Sequence, residues 1–270
     1  MTDKESHDAL AKVPAITAAF WLIKILATTF GETAGDTVSM QMNLGYLVGT
    51  GIFASVLAIL VLLQIKAKRF HPALYWATII ASTTAGTTMA DFATRSLGLG
   101  YPGGSIILMV LVMLSLLFWY KAVGTIDATS VHDRRSEVFY WVTITFSQTL
   151  GTALGDWVAD GPLGYLGSAA IFGSVLALIA LAYYRTSISR VCLFWAAFIL
   201  TRPLGAVVGD FLDKPVAHGG LELSRGGASL VLGAIIILLL SVIPQRAKPS
   251  KKCVVKEKTI GLLQAIRASI

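Results

Sequence analysis

The chain is poor in charged residues. Only 14% of its 270 residues are Asp, Glu, Lys or Arg, whereas 55% are hydrophobic and the mean hydropathy is +0.73. A soluble domain of this length would carry roughly a quarter charged residues. Apolar runs such as SLVLGAIIILLLSVI approach the ~20 residues that cross a bilayer. The composition therefore excludes an ordinary soluble domain and predicts an all-α membrane protein.

Cysteine and histidine are also scarce, and this limits the chemistry. The two cysteines, Cys192 and Cys253, do not suggest a disulfide framework, and neither has the spacing of a metal ligand. The four histidines all fall in predicted links or the N-terminus: His7, His71, His132 and His218. A zinc or copper site built on imidazole or thiolate is therefore not expected. No nucleophile elbow, phosphate-binding loop or HExxH motif is present, so an enzyme is the last of the functions considered.

What the chain does contain is an internal repeat. Four tryptophans are each followed by glycine at +10, by glycine or alanine at +14 and by aspartate at +15: Trp21, Trp76, Trp141 and Trp195. The segment GYLVGTGIFASVLA at 45–58 also matches GYLGSAAIFGSVLA at 164–177, so copies one and three are the most alike. The sequence predicts eight transmembrane helices from four two-helix repeats, arranged as two parallel pseudo-symmetric halves.

The predicted helices lie at approximately 16–37, 45–65, 74–94, 103–121, 138–158, 164–184, 190–212 and 227–244. The chain then divides into an N-terminus (1–15), a first half with repeats one and two (16–125), a second half with repeats three and four (126–245) and a basic tail (246–270). No removed signal peptide is evident in the polar start. The tail is expected to be disordered or to lie on the membrane surface, with a regulatory helix as the alternative.

Most Lys and Arg residues lie in the termini and in the links after the even-numbered helices; only Arg95, Lys214 and Arg225 lie in the other links. The positive-inside rule then places both termini in the cytoplasm. The basic surplus is an orientation signal, so anionic lipid is the expected partner and nucleic acid is not.

Small residues four apart recur on the odd-numbered helices. Such a stripe lets another helix backbone approach closely. We therefore expect the odd-numbered helices to pack centrally against one another through Gly31, Gly35, Gly86, Gly151, Gly155, Gly205 and Gly209.

Acidic residues lie on the same helices. An ionised side chain at the centre of a membrane span costs at least ~2.5–3.5 kcal/mol, so these groups are expected to face the interior of the bundle. The candidate metal ligands are Glu32, Asp36, Asp91, Asp156 and Asp210. A supporting polar stripe is predicted at Thr28, Thr29, Thr87, Gln148 and Thr152. Oxygen donors alone suit Mg²⁺, Ca²⁺ or Mn²⁺, and they do not separate these three ions.

A structural interpretation of the aspartates stays open. Each could cap the link that follows it or pair with Arg95, Arg202 or Lys214, and this is strongest for Asp210. Lys24 is expected to snorkel toward the cytoplasmic end of its span or to form a bridge within the bundle. The repeat tryptophans are expected at the cytoplasmic membrane interface.

With its four W-x9-G-x3-[GA]-D units, over about residues 16–243, the chain resembles a bacterial multi-pass family built from four copies of a repeat of unknown function, the "uncharacterised membrane-anchored protein" family. Some members of that family are linked to manganese export. The resemblance thus implies a bacterial inner-membrane protein with Mn²⁺ as cargo, and it falls on Glu32 and the four repeat aspartates. The fourth copy departs from the pattern with Thr-Arg-Pro at 201–203, which leaves the role of Asp210 open.

The leading hypothesis is a transporter that exports a divalent metal cation, with Mn²⁺ as the first candidate. Glu32 and Asp36 would bind the ion with help from Asp91 and Asp156. Proton antiport on the same acids could drive export, and no further cofactor is expected. The alternatives are an exporter of organic cations and a non-transporting membrane sensor or scaffold.

Overall fold

The computed structural model describes residues 10–131 and 133–249. Within these ranges the chain forms eight α-helices and one two-stranded antiparallel sheet, which confirms the predicted helical architecture. The helices are α1 Ala18–Asp36, α2 Gly45–Lys66, α3 Pro72–Asp91, α4 Gly100–Val123, α5 Arg134–Ala159, α6 Gly164–Arg185, α7 Arg190–Asp213 and α8 Arg225–Val242. Short π-helical segments, Thr37–Gln41 and Phe92–Ser96, extend α1 and α3.

Local sequence explains where several of these helices begin and end. The Thr17 side chain accepts a hydrogen bond from the Phe20 backbone N–H and caps α1. Pro72 occupies the first turn of α3, where its missing N–H costs nothing. Asp133 caps α5 in the same way as Thr17 caps α1. Gly124 ends α4 at a φ of +79°, a left-handed conformation that favours glycine.

The odd-numbered helices form a closed central ring. In the order α1, α3, α5, α7 each helix contacts the next, and α7 contacts α1. The even-numbered helices lie outside this ring, and each packs on the odd-numbered helix of the following copy: α2 on α3, α4 on α5, α6 on α7 and α8 on α1. Each repeat therefore places its outer helix against its neighbour, and the last copy closes on the first.

The division into inner and outer helices explains their hydropathy. Five helices of the described chain are long and apolar enough to cross a membrane: α2, α4, α6, α7 and α8, with mean hydropathies of 1.9 to 2.4. The other three, α1, α3 and α5, are inner helices whose buried faces carry many hydroxyl and charged groups. These three are less apolar than a typical membrane span because their polar residues face the ring interior. The count of eight spans is therefore approximate.

The glycine stripes lie at the contacts between neighbouring inner helices. In each contact the glycine at +10 lies against the residue at +7 of the next copy: Gly31 on Thr83, Gly86 on Gln148, Gly151 on Arg202 and Gly205 on Thr28. One turn further along, the glycine at +14 lies against the residue at +11 of the next copy: Gly35 on Thr87, Gly155 on Ala206 and Gly209 on Glu32. The same contact is thus repeated around the ring, as a closed ring of four similar units requires.

Aromatic side chains close one end of the ring, which we call the tryptophan end. The residue before each repeat tryptophan is aromatic and contacts the tryptophan of the next copy, in the pairs Phe20–Trp76, Tyr75–Trp141, Tyr140–Trp195 and Phe194–Trp21. Their ring centroids lie 5.5 to 6.2 Å apart. Trp76, Trp141 and Trp195 are buried. These three pack between two copies and do not face lipid, and their place at the cytoplasmic interface stays a prediction.

Both ends of the described chain meet at this same end. Strand β1, Leu10–Pro14, pairs with β2, Ala247–Pro249, and Lys12 Nζ lies 2.8 Å from Glu137 Oε2 on α5. The sequence pattern predicts no strand at either segment. The predicted tail beyond residue 249, with Cys253, lies outside the described residues.

Candidate functional site

The five predicted acids all lie in the interior of the central ring, at the end opposite the tryptophans, which we call the aspartate end. All five residues are buried, with at most 4% of their surface exposed. The helices position them directly, because Asp36 and Asp91 are the last residues of α1 and α3, while Asp156 and Asp210 lie three residues before the ends of α5 and α7. The ring thus holds its carboxylates away from lipid, as their transfer cost requires.

The acids form two overlapping groups. Glu32, Asp156 and Asp210 each offer a carboxylate oxygen, and these three oxygens lie within 4.8 Å of one another. Asp36, Asp210 and Asp213 form a second group by the same criterion. Asp210 is common to both. Asp91 belongs to neither, and the expected pair of Glu32 and Asp36 is divided between the two groups.

Two basic residues bridge neighbouring repeats at the aspartate end. Arg95 lies 3.0 Å from Asp91 Oδ1 and 3.2 Å from Asp156 Oδ2. Lys214 Nζ lies 3.0 Å from both Asp210 Oδ1 and Asp36 Oδ2. Each base therefore binds the aspartate one turn before it and the aspartate of the next copy, so the structural interpretation of the aspartates is met in part.

Lys214 lies just beyond the end of α7 and shows how strong this acidic environment is. Burial lowers the pKa of its ammonium group. The carboxylates of Asp210, Asp36 and Asp213 raise this pKa, and their combined effect is larger than that of burial. The net effect is a pKa above the ordinary value, so Lys214 stays charged at neutral pH and neutralises part of the site.

Arg202 lies deeper in the ring and pairs with Glu32. Its Nη2 atom donates to Glu32 Oε2 at 2.8 Å and to the Thr87 hydroxyl at 2.6 Å, and it also bonds to Thr152. Both Arg202 and Glu32 are buried. The suggested pairing of Asp210 with Arg202 is therefore wrong, because Lys214 is the nearer cation to Asp210.

The charges of this network do not balance. Arg225 completes it at the rim, 3.2 Å from Asp213 Oδ2 and 3.8 Å from Asp36 Oδ2. Six carboxylates thus face four basic side chains: Glu32, Asp36, Asp91, Asp156, Asp210 and Asp213 against Arg95, Arg202, Lys214 and Arg225. One oxygen each of Asp36, Asp156 and Asp213 is buried and accepts no hydrogen bond from the described residues. With all of these groups ionised, the network carries two negative charges in excess; Lys24 is not counted, because it forms no ion pair with any described carboxylate.

The predicted polar stripe divides in two. Thr87 and Thr152 contact Arg202, and Gln148 accepts a hydrogen bond from Lys24 at 3.4 Å. Thr28 and Thr29 donate to the backbone carbonyl of Ile25 on their own helix, and Thr28 also donates to the Thr201 carbonyl on α7 at 3.3 Å. Only the first three therefore contact charged side chains.

Lys24 does not snorkel. The residue is 0% exposed, and its ammonium group lies 4.3 Å from the centre of the Phe198 ring. Apart from Gln148, no side chain in the described part of the chain makes a polar contact with it. Of the two predictions for Lys24, the bridge within the bundle is met only as a hydrogen bond from α1 to Gln148 on α5, with no ion pair among the described residues.

Sequence reasoning named Lys214 as a possible partner of the aspartates, but it missed Asp213 and Arg225 as members of the site. Asp213 lies one helical turn beyond Asp210 on the same helix, and this spacing was the available signal. Arg225 lies outside the repeat signature, and nothing in the sequence pattern brings it to the site.

A family comparison confirms the four repeats. The family described as Repeat of Unknown Function (DUF347) matches residues 19–70, 74–125, 139–189 and 193–245. The chain belongs to this family. Each DUF347 match begins two residues before a repeat tryptophan, so the family repeat coincides with the unit that was read from the sequence. None of the curated proteins and none of the solved structures matches the chain.

Proposed function

We propose that this DUF347 protein is a membrane transporter that exports a divalent metal cation, with Mn²⁺ as the first candidate. The observation that carries the proposal is the excess of two carboxylates inside the ring, next to a cluster of three carboxylate oxygens. A cation of charge +2 balances that excess. Asp156 is a member of this cluster and has one buried oxygen that accepts no hydrogen bond from the described residues, which is a second sign that the site accepts a ligand.

The dimensions of the cluster support an ion rather than a larger guest. A hard divalent cation holds its oxygen ligands at about 2.0–2.6 Å, so two ligands of one ion are at most ~5 Å apart. The oxygens of Glu32, Asp156 and Asp210 meet that limit. The Thr87 hydroxyl lies beside the cluster, 3.4 Å from Glu32 Oε2. All these donors are hard, which favours Mg²⁺, Ca²⁺ or Mn²⁺.

An organic cation is less well supported. Organic ammonium groups are commonly bound by aromatic rings, which attract the cation through their π faces. Here the aromatic residues of the inner helices are concentrated at the tryptophan end, whereas the carboxylates lie at the aspartate end. A panel of cations in the transport assay separates this alternative from a metal ion.

A non-transporting scaffold is the alternative that the salt bridges favour. Arg95 and Lys214 each tie two neighbouring repeats together, as a structural lock would. The lock accounts for these bridges, but it leaves the two excess carboxylates of the network without a role. It predicts no flux of any cation under any gradient.

We further propose that the protein lies in a bacterial inner membrane with both termini in the cytoplasm. The tryptophan end then faces the cytoplasm and the acids lie toward the outer face. The surplus of Lys and Arg in the links at the tryptophan end supports this orientation. Proton antiport would let the inward proton gradient drive export against the metal gradient.

Flux measured with the purified protein in liposomes tests the proposal. A pH gradient is imposed, and entry of Mn²⁺ is followed with an internal metal-sensitive dye. We expect Mn²⁺ flux above that of protein-free liposomes, faster when protons move in the opposite direction. Flux of a quaternary ammonium ion without Mn²⁺ would favour the organic-cation alternative. No flux of any tested cation would contradict transport.

A further inference from the structure

Two departures from the repeat pattern meet at one place in the ring. At +7 the first three copies have Thr28, Thr83 and Gln148, whereas the fourth has Arg202. At +11 the other copies have Thr87, Thr152 and Ala206, whereas the first has Glu32. The ring brings the fourth copy against the first, and these two residues form the ion pair described above. The two departures from the repeat thus carry opposite charges and pair with each other.

The guanidinium of Arg202 is held by only one of its nitrogens. Nη2 makes the contacts to Glu32, Thr87 and Thr152, together with a 3.5 Å contact to the Thr83 carbonyl. Nε and Nη1 donate to no described residue, although the residue is 0% exposed. A bidentate Arg–carboxylate pair would satisfy two nitrogens at once. The pair here is an end-on contact that leaves buried donors unmet, at a cost in free energy.

Glu32 takes part in two arrangements that compete. It is the partner of Arg202, and it is also one of the three carboxylates of the first acidic group. A metal ion that uses Glu32 brings a second positive charge to within a few ångströms of the guanidinium. Such charges repel strongly in a buried site of low effective dielectric. An arginine cannot relieve this repulsion by losing its proton.

We propose that Arg202 is a tethered competitor of the transported cation for Glu32. This inference rests on the proposed function. In the absence of cargo the guanidinium occupies Glu32. Bound cargo displaces it, and Thr87 and Thr152 keep it near the site through the hydrogen bonds that they already make. When the cargo leaves, Arg202 returns to Glu32, which weakens cargo binding overall and favours release.

The backbone next to Arg202 allows such a movement. Pro203 lies inside α7 and has no N–H group, so one hydrogen bond of the helix ladder is absent there. Gly151 of α5 lies against the Arg202 side chain and leaves room for it where any larger residue would collide. The guanidinium is therefore attached to a locally weakened segment of the helix.

Binding of Mn²⁺ to charge-removing variants tests the proposal. Arg202→Met and Arg202→Gln are expected to bind Mn²⁺ roughly tenfold or more tightly than the wild type and to transport it more slowly, because the competitor is gone and release is slower. Arg202→Lys keeps the charge and is expected to bind within about threefold of the wild type. Arg185→Met, at the exposed end of α6, is the matched control and should change neither quantity.

The outcomes separate this inference from the proposed function. If the wild type binds and transports Mn²⁺ while both neutral variants bind it no more tightly, the competitor role is wrong and the proposed function stands. If the wild type neither binds nor transports Mn²⁺, the proposed function fails and the inference fails with it. Arg202→Gln can still bond to Glu32 and Thr87. If even this variant does not fold, Arg202 is a structural lock and the inference is overturned.

Discussion

At the scale of single residues, the described structure treats its buried charges unequally. Glu32, Arg202 and the repeat aspartates have partners of opposite charge, which offset the large cost of removing an ion from water. Lys24 is equally buried, but it has only an amide oxygen and an aromatic face beside it. Its burial is therefore a local cost to the fold.

Replacing Lys24 with methionine should stabilise the protein. Methionine has a similar length, keeps the packing against Phe198 and removes a polar group that lacks a good partner, an effect of about 1–3 kcal/mol. A rise in the thermal unfolding temperature in detergent would show this. Lys121→Met, at an exposed position on α4, is the control and should leave the temperature unchanged. A lower temperature for Lys24→Met would mean that Lys24 has a favourable partner.

The inward position of the acids could be predicted from sequence, but their partners could not. The cost of a charge in lipid decides that Glu32 and the four aspartates face inward, whatever the packing. Which base meets which acid depends on the order of helices in the ring. Arg202 lies on α7, next to Pro203. Only the contact of α7 with α1, where copy four closes on copy one, brings Arg202 to Glu32.

At the scale of helices, small residues set how closely the inner helices approach. A Cβ added to Gly86 of α3 would lie 2.9 Å from the backbone carbonyl carbon of Gln148 on α5, which is a contact with backbone that cannot rotate away. A Cβ added to Gly51 of the outer helix α2 would meet no atom within 4 Å. Both glycines lie within helices, but Gly86 faces the backbone of a neighbouring helix and Gly51 faces open space.

Gly86→Ala should destabilise the protein, and Gly51→Ala should not. Forcing the inner helices apart costs typically 1–3 kcal/mol, which exceeds the gain of up to ~1 kcal/mol in helix propensity that both variants share. Unfolding temperatures of the two variants in the same detergent make the comparison. Equal temperatures would contradict the close packing of α3 on α5.

The four repeats and the eight helices were predictable, because the tryptophan, glycine and aspartate positions recur without gaps. The strands at Leu10–Pro14 and Ala247–Pro249 were not predictable, since two short segments pair there from opposite ends of the chain. The π-helical extension of α1 also escaped prediction. It continues the helix through Thr37–Gln41, whereas the predicted helix ends at residue 37.

At the scale of the whole molecule, the repeats make a ring with two different ends. Paired aromatic residues close the tryptophan end, while the partly exposed Arg95, Lys214 and Arg225 lie at the aspartate end. The aromatic layer was missed because the tryptophans were assigned to the lipid interface. The aromatic residue before each tryptophan was the available signal for this layer.

The proposed orientation predicts which links an external reagent can reach. Cysteine introduced at Ser96, after α3, should react with an impermeant maleimide added to intact cells. Cysteine introduced at Ser187, after α6, should react only after the cells are opened. Both positions are exposed, and Cys192 and Cys253 are first replaced by serine. The reverse pattern of labelling would place the acids toward the cytoplasm.

The most direct test of the central claim compares two aspartates that differ in their place in the ring. Asp210 belongs to both carboxylate groups, whereas Asp91 belongs to neither, although both are buried and both are paired with a base one turn later. The measurement is the affinity of the purified protein for Mn²⁺ by titration calorimetry. Asp210→Asn should weaken binding by roughly tenfold or more, the loss of a charged ligand, while Asp91→Asn should stay within about threefold of the wild type. Equal affinities for both variants and the wild type would contradict a metal site in the ring.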